Sequence, residues 1–153
     1  MSDRKSAVYT VILISALSAF YYCETHIWEP RLQEKTRSFQ QLAADSVTSI
    51  DLENESTEFS KLLKGHISIH DRDQIRDFCT AIRDATEYPP QHPTAIWAIK
   101  VHFITTSRKW TANVSSTSNN NGVLIYVHDG KTLRNDELGP MLEKIAAASA
   151  AAQ

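Results

Sequence analysis

The chain is poor in the residues that staple or punctuate a fold. Two cysteines, Cys23 and Cys79, are too few for a disulfide framework. Four glycines and five prolines exclude collagen-like and low-complexity classes. No charge sign dominates: 16 Lys and Arg against 18 Asp and Glu give a formal charge of −2. Nucleic-acid binders need a clustered excess of cations for phosphate contacts, so no nucleic-acid partner is expected. A Gly-rich phosphate loop, a G-x-S-x-G turn and an H-E-x-x-H pair are all missing from the sequence. The reading is therefore of a protein that is not an enzyme and holds no cofactor and no metal. A hydrolase with an unrecognised site ranks last among the functions considered.

What is there divides in two. Residues 7–23, AVYTVILISALSAFYYC, carry no charge. At 1.5 Å per residue this run spans about 25 Å, near the short limit for a bilayer core of about 30 Å. Tyr21, Tyr22 and Trp28 fall where the helix would leave the hydrocarbon, a depth that suits rings with one apolar and one wet edge. Arg4 and Lys5 precede the run and favour a cytoplasmic N-terminus (residues 1–6), although Arg31, Lys35 and Arg37 follow it. The expectation is a single-pass anchor in the inner or plasma membrane, with residues 7–23 in lipid and the remainder extracytoplasmic. Two other fates compete: a signal peptide cut after Ala16-Leu17-Ser18, and a lipoprotein signal ending at Cys23. Bulky Phe20, Tyr21 and Tyr22 argue against the second. A buried core helix is disfavoured, because a run apolar on all sides needs a protein shell that about 130 residues can hardly supply. Ser15, Ala16, Ser18 and Ala19 permit close helix approach without requiring it.

Residues 24–45 read as a helical stalk. Pro30 suits a first helical turn, and Leu32, Phe39 and Leu42 give a thin apolar stripe among charges. From residue 46 to 150 the pattern is that of a small α+β head. VTSIDL (47–52) and HISIH (66–70) alternate, with Thr48, Ile50 and Leu52 assigned inward in the first. Asp71 caps a helix with Ile75, Phe78, Cys79, Ile82 and Ala85 on one face. A stiff loop, 88–93, leads to the strongest strand, AIWAIKVHFIT (95–105), with return strands at 109–114 and 123–127. Residues 115–122 read as a flexible loop, Asp129-Gly130 as a turn, and Pro140 as the opening of a last helix that frays at its end. The predicted order is β-β-α-β-β-β-α. It makes a two-layer domain of about five antiparallel strands with two helices on one face.

Cys79 lies on an apolar helix face and reads as an inert thiol. Asp71 and Asp73 could form an acid/base pair, but capping and first-turn charge account for both. The informative surface is the side of the sheet away from the helices. Alternation assigns to it His66, His70, Lys100, His102, Asn113, Tyr126 and His128, which include four of the six histidines. His66 and His70 stand roughly 13 Å apart along a strand, too far to share a zinc ion. Two sequons, at Asn54 and Asn113, match the glycosylation pattern. The expectation is a membrane-anchored, non-catalytic protein-binding module, of the immunity or inhibitor kind or an accessory subunit of an envelope assembly. It would offer the open face or the 115–122 loop to a partner outside the cytoplasm. The alternative is a sensory head that binds a small ligand or responds to pH through its histidines.

Overall fold

The computed structural model describes residues 2–55, 62–89, 94–117 and 120–151. Expectations for Phe59, for most of the Pro-rich loop (90–93) and for the last two residues lie outside these.

The chain opens with one long helix in three parts. α1 (Ser2–Cys23) runs into a π-helical stretch (Glu24–Trp28) and then α2 (Glu29–Gln40). In the π stretch the Glu29 N–H reaches the Glu24 carbonyl, and Thr25 Oγ1 donates to the Tyr21 carbonyl at 2.9 Å. Helical geometry is thus kept from the apolar run into α2.

A 3₁₀ turn (Ala44–Ser46) leads to β1 (Val47–Asn54). Then come β2 (Ile67–Ile69), α3 (Arg72–Arg83), β3 (Thr86–Glu87), β4 (Ala95–Thr105), β5 (Lys109–Thr117), β6 (Asn120–Val127), β7 (Thr132–Asn135) and α4 (Leu138–Ala151). All seven strands form one antiparallel sheet in the order β2-β1-β4-β5-β6-β7-β3. The architecture is α+β, as the alternating patterns predict.

Three details of the strands differ from the sequence reading. Among the described residues seven strands replace five, because β7 and the edge strand β3 are short, with one buried apolar residue, Leu133, between them. Residues 115–122 are not simply a loop: β5 reaches Thr117 and β6 begins at Asn120. The first strand also carries an irregularity between Val47 and Ser49. A bulge of this kind shifts the alternation by one residue. Val47 is therefore buried, while Thr48, expected inward, is exposed and donates to the Ile104 carbonyl.

The helices cover one face of the sheet. Ile50, Leu52, Ile99, Val101, Phe103, Val114, Ile125 and Leu133 meet Ile75, Phe78 and Ile82 of α3 and Leu138 and Leu142 of α4 in one core. Asp71 caps α3, its carboxylate accepting from the Gln74 N–H at 2.9 Å. Buried Asn135 does the same for α4, accepting from the N–H groups of Glu137 and Leu138 and donating to the Ala81 carbonyl. That cap uses the unpaired donors of a helix start and ties three elements together.

A third helix joins this layer, where two were expected. The stretch read as a stalk places Phe39, fully buried, edge-on to Phe103 with ring centroids 5.5 Å apart. Gln40 Nε2 donates to the Ala85 carbonyl at 2.7 Å. Thr36 Oγ1 donates to the Leu32 carbonyl and accepts from the Lys131 N–H. The turn before β7 meets α2 so closely that a Cβ on Gly130 would lie 2.8 Å from Val127 Cγ1 and 3.0 Å from Thr36 Oγ1. Glycine is needed here for space; the left-handed residue of the turn is Asp129, at φ 54°. Lys131 Nζ then bridges Glu29 at 2.6 Å and Glu87 at 3.0 Å.

Candidate functional site: the open sheet face

The face opposite the helices has no second layer among the described residues, and the register sets its side chains in cross-strand rows. In one row Ser68, Asp51, His102 and Thr111 are paired across β2, β1, β4 and β5. In the next, Glu53, Lys100, Asn113, Tyr126 and Thr132 cross five strands, β1, β4, β5, β6 and β7. Opposite residues in such pairs lie within contact range of one another, about 4.5–5.5 Å between Cβ atoms.

His102 sits at the centre on β4. Its Nδ1 is 2.9 Å from Thr111 Oγ1 and its Nε2 is 3.1 Å from Glu53 Oε1. Only 9% of the residue is exposed. The hydrogen bond from His102, aided by the charges of Lys100 and Lys109, holds the Glu53 carboxyl below the usual carboxylate range against a smaller effect of burial. On the same face Ser68 Oγ donates to Asp51 at 2.8 Å, and Asn113 Nδ2 donates to Glu55 at 2.7 Å. The Glu55 N–H also donates to the Ala98 carbonyl, and Ala98 is buried although it belongs to the open side.

Four of the residues chosen from sequence therefore gather in two adjoining rows: Lys100, His102, Asn113 and Tyr126. The other three stand apart. His66 is exposed ahead of β2, and His128 is exposed in the turn after β6, 3.5 Å from Asp129. His70 follows β2 and lines a cleft on the helix side. Glu53 and Glu55 were missed because the first strand was ended at Leu52. Their signal was the continued alternation of Asp51, Glu53 and Glu55 along β1.

Thr111, His102 and Glu53 stand in the order of a hydroxyl–imidazole–carboxylate relay. Such a relay also needs a cavity that holds an acyl group against the hydroxyl and donors for the developing oxyanion. Neither of two clefts, of about 530 and about 550 Å³, is lined by any of the three residues. The arrangement satisfies a buried imidazole and links β1, β4 and β5. Other candidates for chemistry are similarly occupied. Burial pushes the Cys79 thiol up to about 11, so it is protonated at neutral pH. Asp71 caps α3, and Asp73 pairs with Arg76 at 2.8 Å on the surface. Among the described residues no three His, Cys, Asp or Glu side chains are grouped to hold a metal. Both sequon asparagines are engaged: Asn54 makes two hydrogen bonds with the Leu63 backbone, and Asn113 is bonded to Glu55.

One further polar group stands out. Trp110 Nε1 is buried without a hydrogen-bond partner. Its ring is covered by the Arg108 guanidinium at 4.0 Å and, more distantly, by Lys35 at 5.8 Å. Cation–π attraction offsets part of the cost of the unpaired N–H.

Among the described residues, 12 of the 14 exposed large hydrophobic side chains lie between Val8 and Trp28. This helix is long and apolar enough to cross a membrane, a property shared by membrane anchors and signal sequences. Compared with known proteins, the chain matches no family model, no curated protein and no solved structure.

Proposed function

We propose that the protein is a non-catalytic binding module, anchored in the inner or plasma membrane by its first helix, with its N-terminus cytoplasmic. The α+β head then stands outside the cytoplasm and offers the open sheet face to a partner protein. The observation that carries this reading is the contrast between the two surfaces. The exposed apolar area is concentrated in residues 8–28, where about 21 residues rise about 31 Å, close to the thickness of a hydrocarbon core. The head's open face is polar and ordered into hydrogen-bonded rows. Lys100 and Tyr126 project from it, Tyr126 with 37% of its surface exposed. A tyrosine beside charged and amide groups suits the mixed apolar and polar contacts of a protein interface.

The test is capture of partners by the full chain extracted in detergent, comparing wild type with Lys100→Glu and Tyr126→Ala. Loss of a membrane or envelope protein from the eluate in both variants, with unchanged melting temperature, supports the reading. Undiminished capture by the folded variants would remove the face from consideration, and recovery of the uncut wild-type chain in the soluble fraction would remove the anchor. A second reading, a pH-responsive head, is favoured by His102 lying between Glu53 and Thr111. It requires shifts of the β1, β4 and β5 amides between about pH 8 and pH 5, absent in His102→Gln.

A further inference from the structure

The sheet has an unused edge. β2 ends the strand order, so the outward main-chain groups of Ile67–Ile69 have no strand partner among the described residues. A cleft of about 530 Å³ lies against it, and four consecutive residues, 67–70, form one wall. A cleft on the face of a sheet takes every second residue of a strand, because side chains alternate. Four in succession mean that this one runs along the strand's edge.

The facing wall is α4. Met141, Lys144, Ile145, Ala148 and Ser149 line it, a spacing that marks a single helical face. Met141 and Ile145 are only partly buried, at the margin of the core, as is Ile67 on the strand side. The floor adds Asp71, Gln74 and Asp77 of α3. Asp71 is committed to its helix cap, whereas Asp77 has no hydrogen-bond or ion-pair partner among the described residues. The groove is thus an open strand edge beside an apolar helix stripe, with two carboxylates against one lysine.

We propose that this groove receives an extended peptide segment of a partner protein, added to β2 as an eighth strand. Its main chain pairs with residues 67–69. Its alternate apolar side chains rest on Met141 and Ile145, and a basic side chain meets Asp77. Charge complementarity selects the basic residue. A second copy of this chain fits less well: its own β2 is three residues long, and Ile67 and Ile69 are already turned into its own core. Two edges paired with each other would leave the α4 stripe uncovered. The groove also lies on the sheet edge opposite β3 and β7, where Glu29, Glu87 and Lys131 fix the entry of the first helix. An incoming strand therefore does not compete with the docking of α2, and this site is separate from the open face proposed above.

The experiment uses the isotope-labelled full chain in detergent micelles. One probe is a blocked hexapeptide with valine at positions 1 and 3 and lysine at position 5 on one face, and threonine at positions 2, 4 and 6 on the other. The other is the same peptide N-methylated at every second amide, which removes the pairing N–H groups and leaves the side chains. The expected result is saturable shifts of the amides of residues 67–70 and 141–148 with the first peptide, and at least tenfold weaker binding of the second. Asp77→Lys should weaken the first peptide at least fivefold. Equal binding of both peptides would overturn the proposal, as would no saturable binding or shifts confined to the open face. So would protection of the β2 amides that grows with protein concentration alone, which would assign the edge to a second copy. The two-peptide comparison needs no protein variant, so its outcome does not depend on Asp77→Lys folding.

Discussion

The two halves of the N-terminal helix make opposite bargains with their surroundings. From Val8 to Tyr22 the residues are mostly apolar and exposed. From Glu29 to Gln40 they are mostly polar, yet Thr36 and Phe39 are buried. Composition alone would keep the first half out of water and leave the second half in it. The difference shows that burial follows the availability of a complementary surface. The α2 stripe is thin, but the sheet presents Phe103 and Trp110 opposite Phe39, and the β6–β7 turn presents a backbone N–H to Thr36. No such surface exists for the first half within the described residues.

That contrast can be broken from either side, and the largest effect is expected in the polar half. Phe39→Ala should destabilise the head by about 3–5 kcal/mol, the usual cost of emptying a buried aromatic site. Chemical denaturation of the full chain in mild detergent measures this. A loss under about 1 kcal/mol would mean that α2 is an appendage rather than part of the core. In the apolar half, Leu13→Arg should cost roughly 2.5–3.5 kcal/mol of membrane insertion while leaving head stability within about 0.5 kcal/mol. Fractionation and a melting curve on the same sample separate the two quantities. If the head melts much earlier, α1 is a protein-packed helix after all.

A smaller effect is expected at the junction. Thr36→Val keeps the shape but removes the acceptor for the Lys131 N–H, a loss of about 1–3 kcal/mol if that group stays dry. Protection of the Lys131 amide from hydrogen exchange reports it directly. Smallest is the ion-pair tether. The hydrogen bond from Lys131 holds the Glu29 carboxyl below its ordinary range, and the same bond holds the Lys131 ammonium above its own. The carboxylate's contribution is therefore present above the unfolded pKa and fades as pH falls through the depressed folded one. The ammonium's contribution is present below its unfolded pKa and fades as pH rises through the elevated folded one. Docking of α2 should loosen in acid and again in strong alkali. Glu29→Gln should flatten the acid limb and shorten the alkaline one, which Glu87 alone then sustains; an unchanged acid limb would show that the pair is ornamental, as exposed pairs often are.

Legibility in the sequence followed the reach of the signal. α3 was plain, with its cap at Asp71 and its apolar face at Ile75, Phe78, Cys79 and Ile82, because both signals act within one or two turns. β4 was plain because its alternation persists over eleven residues. Val47 and Thr48 were exchanged because a bulge is a property of two strands, and only one was in view. β3 has two residues, both exposed, and no local pattern to read. On the open face, alternation placed Lys100, His102, Asn113 and Tyr126 correctly relative to the helices. It had no means to pair His102 with Glu53, 49 positions away, or Asn113 with Glu55, 58 positions away.

By itself, then, the amino-acid order determined which stretches are helical or extended and which side of each is apolar, because backbone geometry repeats every 3.6 or 2 residues and writes itself into local composition. Only the tertiary structure decided which sides meet. It recruited a polar helix into the core, extended the sheet with the short strands β7 and β3 and brought Thr36 to Lys131 across 95 positions. Those choices depend on strand register and on the space left between layers, and neither is a property of any one segment of chain.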